Sequence, residues 1–487
     1  MAENLKTATA KGVAWSAVEK FSTGGVMLIA NVILARLLTP DDFGLLALIA
    51  IFIQISQTFI DAGFSNALIQ KKDRTQTDFS TVFFFNLAIS VFFYIILYFA
   101  SPLIADFFKS PQLVSLIRVI GLNLVIGAFA TIHRTRLTIN LQFKLQSTIT
   151  LCSALISVTV AILLAYQGYG VWALVSLSFI NIGLQTILFN IIIRWHPSIT
   201  FSIKAFKQLF GYSSKLLGAN LINLLYKNVY PIIIGKKFTP IELGYFNRAD
   251  TFAQYPPVTI GAIISRVAFP IFSKLQDNNE KLEKAYSKYI IYASLMIFPL
   301  LIGLLVLARP LTILILKEKW LPMVPMLQIL CLDWMTEHIS SINLNVLYVK
   351  GRSDLALRLE IIKKIIAFSI FLISLKWGII GVCWGRVMYG IIAIFLNSYY
   401  TKNLIGVSIG KQLMDITKPL TYALIMGIIV YFYSIHAQFS LAINTVSAII
   451  LGIVIYFLII RFASTTLTNE IIELTKSVLI HHGKEKN

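Results

Sequence analysis

The sequence predicts an all-α protein that crosses a membrane about fourteen times, as two parallel six-helix lobes around a central cavity plus two C-terminal helices. Three observations predict it. The chain is 57% hydrophobic and 13% charged, with a mean hydropathy of +0.78, whereas soluble domains carry about a quarter charged residues. Apolar runs of about 20 residues, enough helical rise to cross a hydrocarbon core, recur along the whole length. One short segment is also written twice, "TPDDFG" at 39–44 and "TPIELG" at 239–244.

In lipid every backbone polar group must be satisfied within the chain, which leaves helices or closed barrels, and these runs are too long and continuous for barrel strands. The first run, 13–37, is interrupted by Glu19 and Lys20 where a cleaved signal would be unbroken, so it reads as a span. The second, 43–66, follows directly after the first Thr-Pro turn. Spans three to six are 81–107, 113–132, 147–166 and 169–193, joined by short loops. The seventh and eighth, 212–234 and 246–271, flank the second Thr-Pro turn as the first two flank the first. Then come 289–308 and 324–348, on either side of "EKWLPM", and 356–375 and 378–400, on either side of "KWG". The runs 418–433 and 441–460 complete the set.

Basic residues fix an expected orientation. If the chain starts inside, Lys71, Lys72, Arg74, Arg134, Arg136, Lys144, Arg194, Lys204, Lys207, Lys274, Lys281, Lys284, Lys350, Arg352, Lys402, Lys411 and the lysine-containing tail fall on one side. Lys109, Lys236, Lys237, Arg309, Lys317, Lys319 and Lys376 fall on the other. The positive-inside rule then puts both termini in the cytoplasm. The net charge of +20 is spread over membrane flanks with no soluble domain to present it, which favours anionic membrane lipids as partners over nucleic acid. Lys363 and Lys364 are expected at headgroups in the same way. Cys152, Cys331 and Cys383 fall within spans without CxxC spacing, and the chain has no phosphate loop and no HExxH. Disulfide, metal and nucleotide chemistry are therefore not expected.

The repeat carries the architecture. A shift of about 200 aligns Thr39, Pro40, Gly44 and Gln54 with Thr239, Pro240, Gly244 and Gln254, and a shift of about 210 aligns "GYGVWAL" with the "KWGIIGVCWG" segment. An even number of spans separates the copies, so they share an orientation, as parallel repeats do. The expected divisions are 1–205, 206–403 and an addition at 404–487. Proline fixes φ and glycine permits a tight turn, so both repeated residues are expected to shape the outer connection. Lys20, Thr23, Met27 and Asn31 lie within roughly 80° of one another on the first span. Asn220, Asn223 and Lys227 lie on the equivalent face of the seventh. Gln54, Gln57 and Asp61 share a face of the second span, and Asn247, Asp250 and Gln254 one of the eighth. Charge at membrane depth is costly and faces water or a partner, so these faces are candidates for a polar cavity, with interfacial snorkelling the alternative for Lys20 and Asp61.

In "CLDWMTEHISS", Asp333 and Glu337 are four apart and expected on one helix face, where close carboxylates could hold a coupling proton or sodium ion or pair with lysines of neighbouring helices. Arg386, an always-charged planar fork, suits a pyrophosphate or a structural ion pair.

The run "WSAVEKFSTGGVMLIANVILARLLTPDDFGLLALIAIFIQISQTFIDAGFSNALIQKKD", from Trp15, resembles the opening of bacterial polysaccharide exporters of the Wzx type. It is most similar to the subgroup exporting lipopolysaccharide, colanic-acid-like and teichuronic-acid-like repeat units. "GYFNRADTFAQYPPVTIGAIISRVAFPIF" and "EKWLPMVPMLQIL" resemble the same subgroup, and the likeness runs to about Tyr400. The resemblance implies the fold of the multidrug/oligosaccharidyl-lipid/polysaccharide superfamily and no enzymatic step. It implies transfer of an undecaprenyl-diphosphate-linked oligosaccharide across a bacterial inner membrane, alongside a polysaccharide polymerase and a chain-length regulator. It also implies a basic cavity, onto which Lys20, Lys227, Arg248 and Arg386 map. A peptidoglycan-precursor flippase, a drug or cation antiporter, and a membrane-embedded polymerase or glycosyltransferase are the alternatives.

Overall fold

The two copies of the Thr-Pro segment start helices in the same way. Thr39 N and Oγ1 donate to Asp42 Oδ2 at 2.8 and 2.7 Å, and Asp42 N donates back to Thr39 Oγ1 at 3.3 Å. Thr239 and Glu242 repeat this capping box with 3.0, 3.0 and 3.2 Å. Pro40 and Pro240 take the first helical position, where a missing N–H costs no hydrogen bond.

The computed structural model describes residues 2–61, 63–71 and 73–463. The side chains of Lys20, Asn220, Asn223 and Lys227 lie outside the described residues. Two compact units emerge, Met1–Gly244 and Tyr245–Asn487. The first contains α1 (Ala2–Leu37), α2 (Pro40–Asp61), α3 (Phe64–Gln70), α4 (Gln76–Phe107), α5 (Leu113–Ile139), α6 (Phe143–Tyr166), α7 (Val171–Ile193), α8 (Ile203–Lys237) and the start of α9 (Pro240–Lys274). The second contains the rest of α9, then α10 (Asn279–Val306), α11 (Ala308–Leu316), α12 (Val324–Trp334), α13 (Glu337–Val349), α14 (Ser353–Ser374), α15 (Gly378–Ile405), α16 (Ile409–His436) and α17 (Leu441–Ala463).

The protein is a multi-pass helical membrane protein. Among the described residues nine helical stretches are long and apolar enough to cross a bilayer. The expected tenth span is not one of them because it is broken: α12 has 11 residues and α13 has 13, each short of the roughly 17 that crossing requires. The expected second span is among the nine, as Pro40–Gln70, with Gly63 at φ 80° between α2 and α3. Large apolar side chains such as Phe99, Leu103, Phe457 and Phe462 point outward, as a lipid solvent permits.

Gly44 and Gly244 have a different use from the one expected. Both lie inside helices, not in the turn. A Cβ on Gly44 would sit 1.8 Å from the Pro240 carbonyl oxygen, and one on Gly244 would sit 2.0 Å from that of Pro40. The repeated glycines let the starts of α2 and α9 approach backbone to backbone, each against the proline of the other copy.

Within the first unit, α4 packs on α5, α5 on α7, α6 on α1 and α7, and α2 on α8. Phe64, Leu68, Phe83, Ile132 and Trp195 form one core there. In the second unit, Phe272, Tyr286, Ile290, Ile342 and Val346 form another. Beside it, Tyr286 donates to Asn343 (2.7 Å), and both Asn343 (3.1 Å) and Ser398 (3.0 Å) donate to Gln412 Oε1. These bonds stitch α10, α13, α15 and α16 together.

Candidate functional site: an ionic cluster at a helix break

The tenth span breaks at Met335 and Thr336. Thr336 donates to the Asp333 carbonyl through both its N (3.1 Å) and its Oγ1 (2.8 Å), tightening the last turn of α12 and ending it. Asp333 and Glu337 are therefore not neighbours on one continuous helix, as the sequence led us to expect. Asp333 lies at the negative end of α12, which disfavours its charge, whereas Glu337 heads α13, where the helix dipole favours it. A Cβ at Gly390 of α15 would lie 2.6 Å from Thr336 Oγ1 and 3.5 Å from Asp333 Oδ1. Glycine there lets α15 close onto the break.

One turn before Gly390, Arg386 meets the unfavourably placed carboxylate. Its Nη2 is 2.6 Å from Asp333 Oδ2 and its Nη1 is 2.8 Å from Asp250 Oδ1 on α9. The Trp334 indole N–H also donates to Asp250 Oδ1, at 2.8 Å. The guanidinium carbon lies 5.6 Å from the Trp334 ring centre and 6.0 Å from that of Phe246. Side-chain exposure is only 17% for Arg386, 23% for Asp250 and 12% for Asp333. Glu337 is exposed and within electrostatic range of Arg386 and Lys363. Lys363 is buried and pairs with Glu360 at 2.5 Å, so it does not reach for headgroups as expected. The result is an arginine clamped between carboxylates, joining α9, α12 and α15 within one unit.

The other expected residues are dispersed. Arg248 is buried on α9 with its guanidinium 5.9 Å from the Trp320 ring centre, and Gln254 is half-buried one turn beyond Asp250. Asn31 donates to the Met27 carbonyl on its own helix (2.8 Å). Asp61 ends α2 and accepts from Gln57 at 3.2 Å. Asp250 was visible as part of a polar face but was not singled out, and Trp334 gave no signal beyond standing next to Asp333. Arg134, counted among loop residues, is within α5. Among the described residues no group of three His, Cys, Asp or Glu is placed to hold a metal ion.

Residues 33–325 match the family described as Polysaccharide biosynthesis protein. The chain is 26% identical over 446 residues to the teichuronic acid biosynthesis protein TuaB of Bacillus subtilis (strain 168), covering 90% of this chain and 92% of that one. It is 26% identical over 443 residues to the lipopolysaccharide biosynthesis protein WzxC of Escherichia coli (strain K12), covering 90% of each. The succinoglycan biosynthesis transport protein ExoT of Rhizobium meliloti (strain 1021) is 25% identical over 331 residues, 68% of this chain and 67% of that one. Among solved structures, the lipid II flippase MurJ in an inward closed conformation superposes with a TM-score of 0.74 at 17% identity, over 94% of this chain and 100% of that one. An inward-facing multidrug resistance MATE family transporter of the MOP superfamily gives 0.59 at 16% identity, over 78% and 94%. At such identities the structural likeness is one of fold. On its sequence, the chain belongs to the polysaccharide biosynthesis protein family.

Proposed function

We propose that the protein is a flippase that carries an undecaprenyl-diphosphate-linked oligosaccharide repeat unit from the cytoplasmic to the outer leaflet of a bacterial inner membrane. The observation that carries this reading is the Asp250–Arg386–Asp333 cluster, a set of largely enclosed charges within a multi-pass membrane protein. Charge is retained inside such a protein where it serves a polar passage or an ion path. A diphosphate and a run of hydroxyls cannot cross about 30 Å of hydrocarbon unaided, whereas a polyprenyl chain can stay in lipid throughout. A polar interior open sideways to the bilayer lowers that barrier without any covalent step.

Alternating access would use lobes 1–205 and 206–403, with 404–487 as an addition. The faces bearing Lys20, Asn31, Asn220, Asn223, Lys227, Arg248, Gln254 and Arg386 would line the path, and Asp61, Asp333 and Glu337 would exchange a coupling proton or sodium ion. Both termini would be cytoplasmic, and a polymerase and a chain-length regulator would take over the product. The names of TuaB, WzxC and ExoT support a polysaccharide substrate, and the MurJ-like fold supports a lipid-linked one.

The test is the leaflet distribution of lipid-linked glycan in spheroplasts with and without the protein, read with an impermeant sugar-modifying reagent. Depletion should leave protected, cytoplasm-facing repeat units whose mass identifies the glycan. Unchanged exposure with unfinished sugar chains would instead favour a membrane enzyme, and accumulation of a peptidoglycan precursor would favour a lipid II flippase.

A further inference from the structure

The family reading asks for a cation that receives the diphosphate, and Arg386 looks like the natural choice. Its surroundings argue against it. Two of its three guanidinium nitrogens are occupied by carboxyl groups. A diphosphate approaching that cluster meets two acids and a fork already filled.

The first unit offers the opposite arrangement. Arg134 lies on α5 and is exposed. Its Nη2 donates to Gln185 Oε1 at 2.6 Å, and its guanidinium carbon lies 5.8 Å from the ring centre of the buried Phe189. Asp61 is within electrostatic range, yet no ion pair to Arg134 occurs among the described residues.

The glutamine is itself held. Gln185 Nε2 donates to Asn181 Oδ1 (2.5 Å), Asn181 Nδ2 to Ser157 Oγ (3.2 Å), and Ser157 Oγ to the Ala154 carbonyl (3.0 Å). Every link in this chain points the same way, from α5 through α7 into α6. Such a chain polarises its members cooperatively and fixes the amides with their oxygens toward the arginine. One edge of the guanidinium is thereby pinned by a neutral acceptor, while its full charge and its remaining N–H groups stay available for a bidentate phosphate contact.

Arg134 precedes the end of α5 at Ile139 by five residues, or roughly 7–8 Å of helical rise, so it stands in the closing turns of a helix long and apolar enough to cross a bilayer.

We infer that Arg134, oriented by the Gln185–Asn181–Ser157 chain, is the group that receives the substrate's diphosphate, and that Arg386 is not. This rests on the flippase reading and assigns its anionic end to the first unit. The same chemistry would accept the phosphate of an ordinary anionic lipid, so the experiment separates the two sources.

Purified full-length protein in nanodiscs is titrated with sugar-free undecaprenyl diphosphate and followed by native mass spectrometry, with phosphatidylglycerol as competitor. Arg134→Gln should weaken binding about ten-fold or more, the effect of losing charge-assisted hydrogen bonds. Gln185→Glu should do the same by a different route, because a carboxylate at that position neutralises Arg134 while strengthening its contact; it carries the test if Arg134→Gln fails to fold. Arg118→Gln, on the same helix but near its other end, should bind like the wild type. Wild-type binding in both Arg134→Gln and Gln185→Glu overturns the inference, as does displacement of the diphosphate lipid by equimolar phosphatidylglycerol. Wild-type protein that binds no diphosphate lipid removes the flippase reading and this inference together.

Discussion

At the scale of single residues, the energetics of the second unit turn on Arg386. Largely buried charges lose hydration, and their mutual attraction compensates only while every partner is present. Asp333 is the most exposed to that risk, because it is nearly buried and also stands at the negative end of a helix. Removing the guanidinium leaves two adjacent carboxylates without a cation, whereas neutralising all three groups together leaves none. Arg386→Gln should therefore destabilise the detergent-solubilised protein by about 3 kcal/mol. The triple change Asp250→Asn, Asp333→Asn and Arg386→Gln should cost less than the single one, as read by thermal unfolding; a triple variant less stable than the single would contradict this account. Arg386 and Asp333 were legible in the sequence because charge stands out in an apolar span. The partners Arg386 takes were not, since Asp250 is 136 residues from it along the chain and Asp333 lies on another helix. The contact between Arg134 and Gln185 was not legible for a related reason: polarity near a span's end does not tell which neighbouring helix will hold the side chain.

At the scale of elements, the repeated segment shows one sequence signal carrying two physical roles. Threonine with an acid three residues on is a capping box, legible as such, and proline at the first helical position agrees with it. The glycine was expected to serve the turn, but its use depends on what approaches it, and that is the carbonyl of the other copy's proline, far away in the chain. Gly44→Ala or Gly244→Ala must push two helix starts apart, since no backbone tolerates a Cβ at 1.8 or 2.0 Å. Each should cost about 3 kcal/mol, at the upper end of ordinary overpacking, whereas Thr39→Ala should cost about 1 kcal/mol through loss of the cap. Urea or thermal unfolding in mild detergent checks the order, and an alanine at 44 as mild as the cap variant would show that the helices do not meet there. The break between α12 and α13 belongs at this scale too. The segment "CLDWMTEHISS" contains neither proline nor glycine, so nothing local announces a break; Thr336 turning onto the Asp333 carbonyl and Gly390 across from it produce the break together.

At the scale of the whole molecule, the topology proposed from basic residues makes a direct prediction. A fluorescent protein that matures only in the cytoplasm should light up when fused after Asn487, and a phosphatase active only outside should stay silent there. The reverse pattern would invert every loop assignment. What the sequence determined by itself is whatever depends on composition and period: a helical membrane protein, the approximate positions of most of its helices, the two copies of a helix start, and a resemblance strong enough to name a family. Bilayer solvation imposes those features span by span, because each backbone must satisfy itself within its own helix. What only the tertiary structure decided is which polar groups meet: that Arg386 is clamped by two acids, that Arg134 is held by a glutamine, that the glycines meet prolines, and that the tenth span is two helices. These outcomes depend on contacts between residues far apart in the chain, and a polar side chain's cost in lipid is set by the partner it finds and not by its own chemistry.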